Sequence, residues 1–119
     1  MGERMLYTEI LKDAKVFSKM YKKGARVGHS FAVAYYSSNR RPYNRFGITV
    51  GKKVGGAVER NRAKRIIRAA YRKNELLLPI GYDIIIVARP EIKDKKSHEL
   101  DGFMRRLSKE MKTREKASD

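Results

Sequence analysis

Residues 47–72 read GITVGKKVGGAVERNRAKRIIRAAYR, and the way this stretch folds decides the rest. Its opening continues a strand-like run at 45–50, RFGITV, and the glycine-bearing basic segment Gly51–Gly56 ends it. From about 57 to 77 the pattern becomes helical. Stepping ~100° per residue from Asn61 gathers Ala63, Ile66, Ile67 and Ala70 within roughly 50° of one direction. Arg60, Lys64, Arg65, Arg68 and Arg72 take the remaining circumference, and no carboxylate interrupts the stretch from Arg60 to Lys73. One face of this helix is therefore core and the other a cationic stripe. Exposed helix faces ordinarily mix signs for solubility, so a single-signed stripe points to a polyanionic partner. The prevalence of arginine, whose planar guanidinium pairs bidentately with phosphate or stacks on bases, points the same way.

The whole chain shares this bias. Its 119 residues suit one domain spanning 1–119, and 29 Lys plus Arg against 13 Asp plus Glu leave a formal charge of +16. Such an excess opposes folding through self-repulsion, which a bound nucleic acid or anionic surface offsets. The 41% hydrophobic content is enough for one modest core. Without cysteine there is no disulfide, thiolate zinc site or thiol nucleophile. The N-terminal stretch breaks its apolar residues with Glu3, Arg4, Glu9, Lys12 and Asp13, unlike a signal peptide, and no segment has the ~20 apolar residues of a membrane span. These features read as a cytoplasmic protein.

Working outward, residues 9–23 carry apolar groups at helical spacing, with Gly24 as a stop and Lys22 and Lys23 in the last turn. Residues 30–36, SFAVAYY, read as a strand that runs into the loop SSNRRPYN, and with 45–50 they predict an antiparallel hairpin. The run Ile84–Val87 is apolar without alternation, as in a strand covered on both faces. A last helix over 97–114 carries Leu100, Phe103, Met104, Leu107 and Met111, and the polar residues REKASD beyond it read as frayed.

Catalytic groups are sparse. His29 and His98 lack metal-ligand spacing, the carboxylates are scattered among lysines, and GKKVGG lacks the Gly-Lys-Ser/Thr of an NTPase phosphate loop. Aromatic residues offer a second clue. Phe17 and Tyr21 share a helix face, and Tyr35 projects to the same side of its strand as Phe31 and Val33. Their spacing reads first as core; beside a polar groove, the alternative is a platform for unpaired bases. A membrane-surface role fits poorly, because the apolar face of the basic helix is made of small residues. A general RNA-binding or ribosomal protein remains a rival.

Residues 47–72 resemble the signature of the bacterial ribonuclease P protein component. The matching positions are Gly47, Lys52, Lys53, Gly55, Ala57, Val58, Arg60, Asn61, Arg62, Lys64, Arg65 and Arg68. FSKMYKKG at 17–24 is similar to the family's N-terminal pattern, with Tyr21 where phenylalanine is common, and GYDIIIVAR matches a later family strand. The resemblance implies an α/β (α+β) two-layer fold, with a small, mainly antiparallel sheet, three helices in the order α-β-β-(β)-α-β-α, and a left-handed strand-helix-strand crossover. It implies that Lys52, Lys53, Arg60, Asn61, Arg62, Lys64, Arg65 and Arg68 meet a catalytic RNA subunit. Phe17, Tyr21 and Tyr35 would then line a groove for the 5′ leader of precursor tRNA. It further implies no catalytic residue, no metal site and no cofactor on the polypeptide, with Mg2+ held mainly by the RNA; no protein partner is evident in the sequence, and a membrane partner is not expected.

Overall fold

The run Ile84–Val87 sits where its composition demands, in the middle of a five-stranded sheet. The structure is a computed structural model and describes residues 5–118. Its elements are β1 (Thr8–Ile10), α1 (Ala14–Lys23), β2 (Ala25–Gly28), β3 (Ala32–Ser38), β4 (Asn44–Thr49), α2 (Ala57–Asn74), β5 (Tyr82–Ala88) and α3 (Asp101–Ser118). Short 3-10 turns at Lys52–Val54, Glu75–Leu77, Pro90–Asp94 and Ser97–Leu100 join them.

The strand order is β1-β4-β5-β3-β2. β4 runs parallel to both β1 and β5, while β3 is antiparallel to both β5 and β2. The sheet is thus mixed rather than mainly antiparallel. The expected hairpin of β3 and β4 is also corrected, because β5 lies between them. A strand apolar on both faces leaves least apolar surface in water when it lies in the centre, so β5 sits between β4 and β3.

Alternation along the strands separates two cores. Ala32, Ala34, Tyr36, Phe46, Ile84 and Ile86 face α2 and α3, meeting Ile67, Tyr71, Phe103 and Leu107. Ile85 faces the other way, toward α1, and is buried with Leu11 and Met20. The helix spacing read for α2 holds: Ala63, Ile67 and Ala70 are buried and Ile66 half-buried.

The first helix is shorter than its periodicity predicts. Residues 8–10 extend along β4, with Ile10 opposite Phe46 and the Leu11 amide donating to the Phe46 carbonyl at 2.8 Å. The helix begins only after Asp13, whose carboxylate accepts from the Lys15 amide at 2.9 Å and satisfies one of the orphan N–H groups of the first turn. Three strands, β2 to β4, lie between α1 and α2 as the expected order allows, and β1 is additional to it. The last helix is preceded by a 3-10 turn over Ser97–Leu100, and helix continues through the stretch expected to fray, to Ser118.

Buried polar side chains stitch the short strands on. Glu75, 2% exposed, accepts from the amides of Leu6 at 2.6 Å and Tyr7 at 2.8 Å and from the Thr8 hydroxyl at 2.6 Å, tying β1 to the end of α2. Asn44 donates to the Pro79 carbonyl at 3.0 Å and accepts from the amides of Gly81 and Tyr82 at 2.7 and 2.9 Å, which sets the start of β5. Tyr71, fully buried, stacks on Phe46 with centroids 3.9 Å apart and shares a 2.9 Å hydrogen bond with the Thr8 hydroxyl.

Replacing Glu75 by Ala leaves three donors without their acceptor and should cost roughly 2–4 kcal/mol in urea unfolding, with amide exchange rising first at residues 6–10. Alkaline pH offers a second check. Burial pushes the Tyr71 phenol up to about 12. Below pH 10 both states keep the proton; between pH 10 and 12 the unfolded chain releases it and the folded chain does not. Stability therefore falls as pH rises through that window, by up to about 2–3 kcal/mol for this group. Tyr71→Phe should shrink the drop in melting temperature between pH 9 and pH 11.5 without abolishing it, since Tyr82 is also pushed up to about 12.

Candidate nucleic-acid interface

The turn before α2 is built by glycine. Gly55 has φ of +148°, where a side chain would be strained, and a Cβ there would lie 2.8 Å from Glu59 Cβ. The Glu59 carboxylate can then accept from the Gly56 amide at 3.0 Å, in the first turn, where the helix dipole favours negative charge. Val54 is buried beneath this turn, which leaves Lys52 and Lys53 exposed beside the start of the helix. Asn61, Lys64 and Arg65 are exposed along α2, and Arg60 and Arg68 are half-buried. Seven of the eight basic-face candidates, all but Arg62, thus lie along one continuous surface of the 3-10 turn and α2.

Arg62 is used differently. Its guanidinium donates to the backbone carbonyls of Lys93 at 3.0 Å and Lys95 at 2.5 Å, clamping the 3-10 turn after β5 against the helix. Spacing alone cannot separate Arg62 from Arg65, because the acceptors lie 31 and 33 residues away.

On the opposite face of the sheet, α1 brings three aromatic residues together. Phe17 and Tyr21 have centroids 6.2 Å apart and nearly perpendicular rings, and Tyr21 and Tyr35 are 5.1 Å apart at 72°. The Phe17 ring fits against β4 only because residue 47 is glycine: a Cβ there would come within 2.4 Å of Phe17 Cζ, a steric overlap. The Tyr21 hydroxyl shares a 2.8 Å hydrogen bond with Thr49 Oγ1, and the Arg26 guanidinium lies 5.7 Å from the Tyr35 centroid. Phe17 and Tyr35 are half-buried and Tyr21 is 41% exposed, so the rings are partly core and partly open. Arg26 and Thr49 were missed in the sequence. Their roles depend on how α1 docks, and neither belongs to a local pattern.

Comparison with known proteins identifies the family. The profile of the family described as Ribonuclease P matches residues 5–112. The ribonuclease P protein component of Clostridioides difficile (strain 630) is 41% identical over 104 residues, covering 86% of this chain and 90% of that protein. That of Alkaliphilus metalliredigens (strain QYMF) is 36% identical over 102 residues, covering 86% and 92%. The chain belongs to the ribonuclease P protein family. Solved structures agree. The RNase P protein of Thermotoga maritima superposes with a TM-score of 0.73 at 26% identity, covering 82% of this chain and 96% of that one. The Staphylococcus aureus RNase P protein gives 0.70 at 34% identity, covering 78% and 85%.

Within this ribonuclease P protein, the clamp separates arginines that the signature groups together. Arg62→Ala should lower stability by about 1–2 kcal/mol in thermal or urea unfolding, because two charge-assisted hydrogen bonds are lost. Arg65→Ala should leave stability within about 0.5 kcal/mol. Equal effects would remove the distinction.

Proposed function

We propose that this chain holds two RNAs at once, one on each face of its sheet. As a ribonuclease P protein component its partner is the RNA subunit of that endoribonuclease, which serves tRNA 5′ maturation. We assign the catalytic RNA to the α2 face, through Lys52, Lys53, Arg60, Asn61, Lys64, Arg65 and Arg68, with Arg62 holding the neighbouring turn in place. The groove of Phe17, Tyr21 and Tyr35 takes the single-stranded 5′ leader of precursor tRNA.

One observation carries this reading: the cationic stripe and the aromatic groove lie on opposite sides of one rigid sheet. Folded RNA offers phosphates and shape, which suit arginines and lysines, while an unpaired leader offers base faces, which suit rings. Holding both in fixed register lowers the cost of bringing scissile bond and catalytic centre together, and the protein's cations reduce repulsion between the two polyanions.

Magnesium belongs mainly to the RNA in this scheme. Among the described residues no three histidines or carboxylates converge. The buried carboxylates are also already engaged. Glu75 accepts from three donors, and Asp83 accepts from Arg45 Nε and Nη2 at 2.8 and 2.7 Å and from Asn39 at 3.0 Å. The donor set therefore does not suit a magnesium cage, and no catalytic step is assigned to the protein's side chains. No helix among the described residues is long and apolar enough to cross a membrane, and a cytoplasmic location follows from the proposed substrate.

Reconstitution with a matching catalytic RNA at low magnesium tests the scheme: the protein should raise precursor cleavage and tighten binding of leader-bearing substrate. Arg65→Ala should weaken affinity for the catalytic RNA and flatten its salt dependence by about one unit of log K against log salt. Tyr35→Ala should weaken leader-bearing precursor by about 1–3 kcal/mol and leave leaderless mature tRNA unaffected. Loss on both substrates would remove the stacking role.

A further inference from the structure

The aromatic groove occupies only one flank of α1. On the other flank a hollow of about 220 Å³ lies between α1 and the strands, walled by Lys19, Met20, Lys23, Ser37 and Arg41. It joins a larger hollow of about 540 Å³ at the end of the sheet through the shared walls Lys23, Ser37, Ser38 and Arg41. Arg40 and Arg114 add to the larger one. Among the described lining residues the carboxylates are Asp83 and Glu115, and both already hold donors. Asp83 accepts from Arg45 and Asn39, and Glu115 accepts from the Tyr82 hydroxyl at 2.9 Å.

We infer that these joined hollows are a second subsite, which grips the phosphates of the upstream part of the leader after it leaves the aromatic groove. This inference rests on the assignment of the groove to the leader. Three observations support it. First, α1 itself makes a path between the two flanks: Lys15, Lys19 and Lys22 are exposed at i, i+4 and i+7, and residues 14–23 contain no carboxylate. Second, the loop that presents the far cations is held in shape. Asn39 donates its amide N–H to the Gly81 carbonyl at 2.8 Å and accepts from the Arg41 amide at 2.8 Å through its side chain. Arg40 sits at φ of 58°, in the left-handed region that non-glycine residues adopt uncommonly.

Third, the chemistry differs from that of the groove. The two rings lining the larger hollow, Tyr36 and Tyr82, are buried in the α3-side core, so no open ring face is offered to a base. The subsite is therefore phosphate-specific and indifferent to sequence, whereas the groove engages base faces. The catalytic RNA is the other source of phosphate. Its proposed cations on α2 lie across the sheet, while the smaller hollow lies on the α1 side, and this favours the leader.

Holoenzyme reconstituted with a matching catalytic RNA decides the matter, using precursors with leaders of about four and about twelve nucleotides. The native holoenzyme should bind the longer leader more tightly. The triple variant Lys23→Gln, Arg40→Gln, Arg41→Gln should keep its short-leader Kd within about twofold and lose the gain from length. Its salt slope for the long leader should fall by about 2, at roughly 0.7 per phosphate contact. Unaltered melting temperature and unaltered affinity for the catalytic RNA accompany that result. Equal loss on both leaders, or loss confined to catalytic-RNA assembly, overturns the subsite, as does a native holoenzyme indifferent to leader length. Tyr35→Ala on the short leader tests the groove separately: an unchanged Kd there counts against the groove assignment and not against the length effect.

Discussion

Burial of β5 on both faces is the constraint from which the architecture follows. A strand reading Ile84, Ile85, Ile86, Val87 cannot leave either side to solvent, so the chain must supply cover above and below. Ile84 and Ile86 take theirs from α2 and α3, and Ile85 takes its cover from α1. The helix with the cationic stripe and the helix with the aromatic rings are thereby placed on opposite sides of one sheet. The separation of the two proposed RNA surfaces is a by-product of filling two cores.

Charge is tolerated by the same division of labour. Buried carboxylates satisfy the backbone and fix the strands: Glu75 gathers β1, and Asp83 holds Arg45 in a forked pair whose hydrogen bonds raise the arginine pKa further. Asp101 is held below the usual carboxylate range by its hydrogen bond from Lys73 and a second from Asn74, joining the end of α2 to the start of α3. With so few acids, and several of them committed to structural hydrogen bonds, many cations are left facing outward. A protein with this balance is most comfortable when RNA covers it.

What could be read in the sequence was local. The core stripe of α2, the apolar run of β5, the Gly24 stop and the inward residues of α3 are set by spacing within one turn or one strand, and all were legible. Pairing between strands was not, because Val33 and Ile48 give no sign that β5 will separate their strands. Strand β1 escaped because three residues with Ile10 61% exposed have no alternation to detect, and because Ile10 and Leu11 extend the helical period of α1 by chance. The site divides in the same way. Phe17, Tyr21 and Tyr35 converge as their positions in helix and strand allow, while Thr49, Arg26 and the inward turn of Arg62 depend on contacts across the fold.

Position 47 shows how an absence can act as a measuring device. With hydrogen as its only substituent there, β4 lets the outer end of an aromatic ring come close to the backbone, and the seating of α1 is thereby gauged by that contact. Covalent geometry cannot relax as a rotamer can. The slot beside that helix inherits its depth from the main chain, so side chains around its rim can vary while its floor stays at one level.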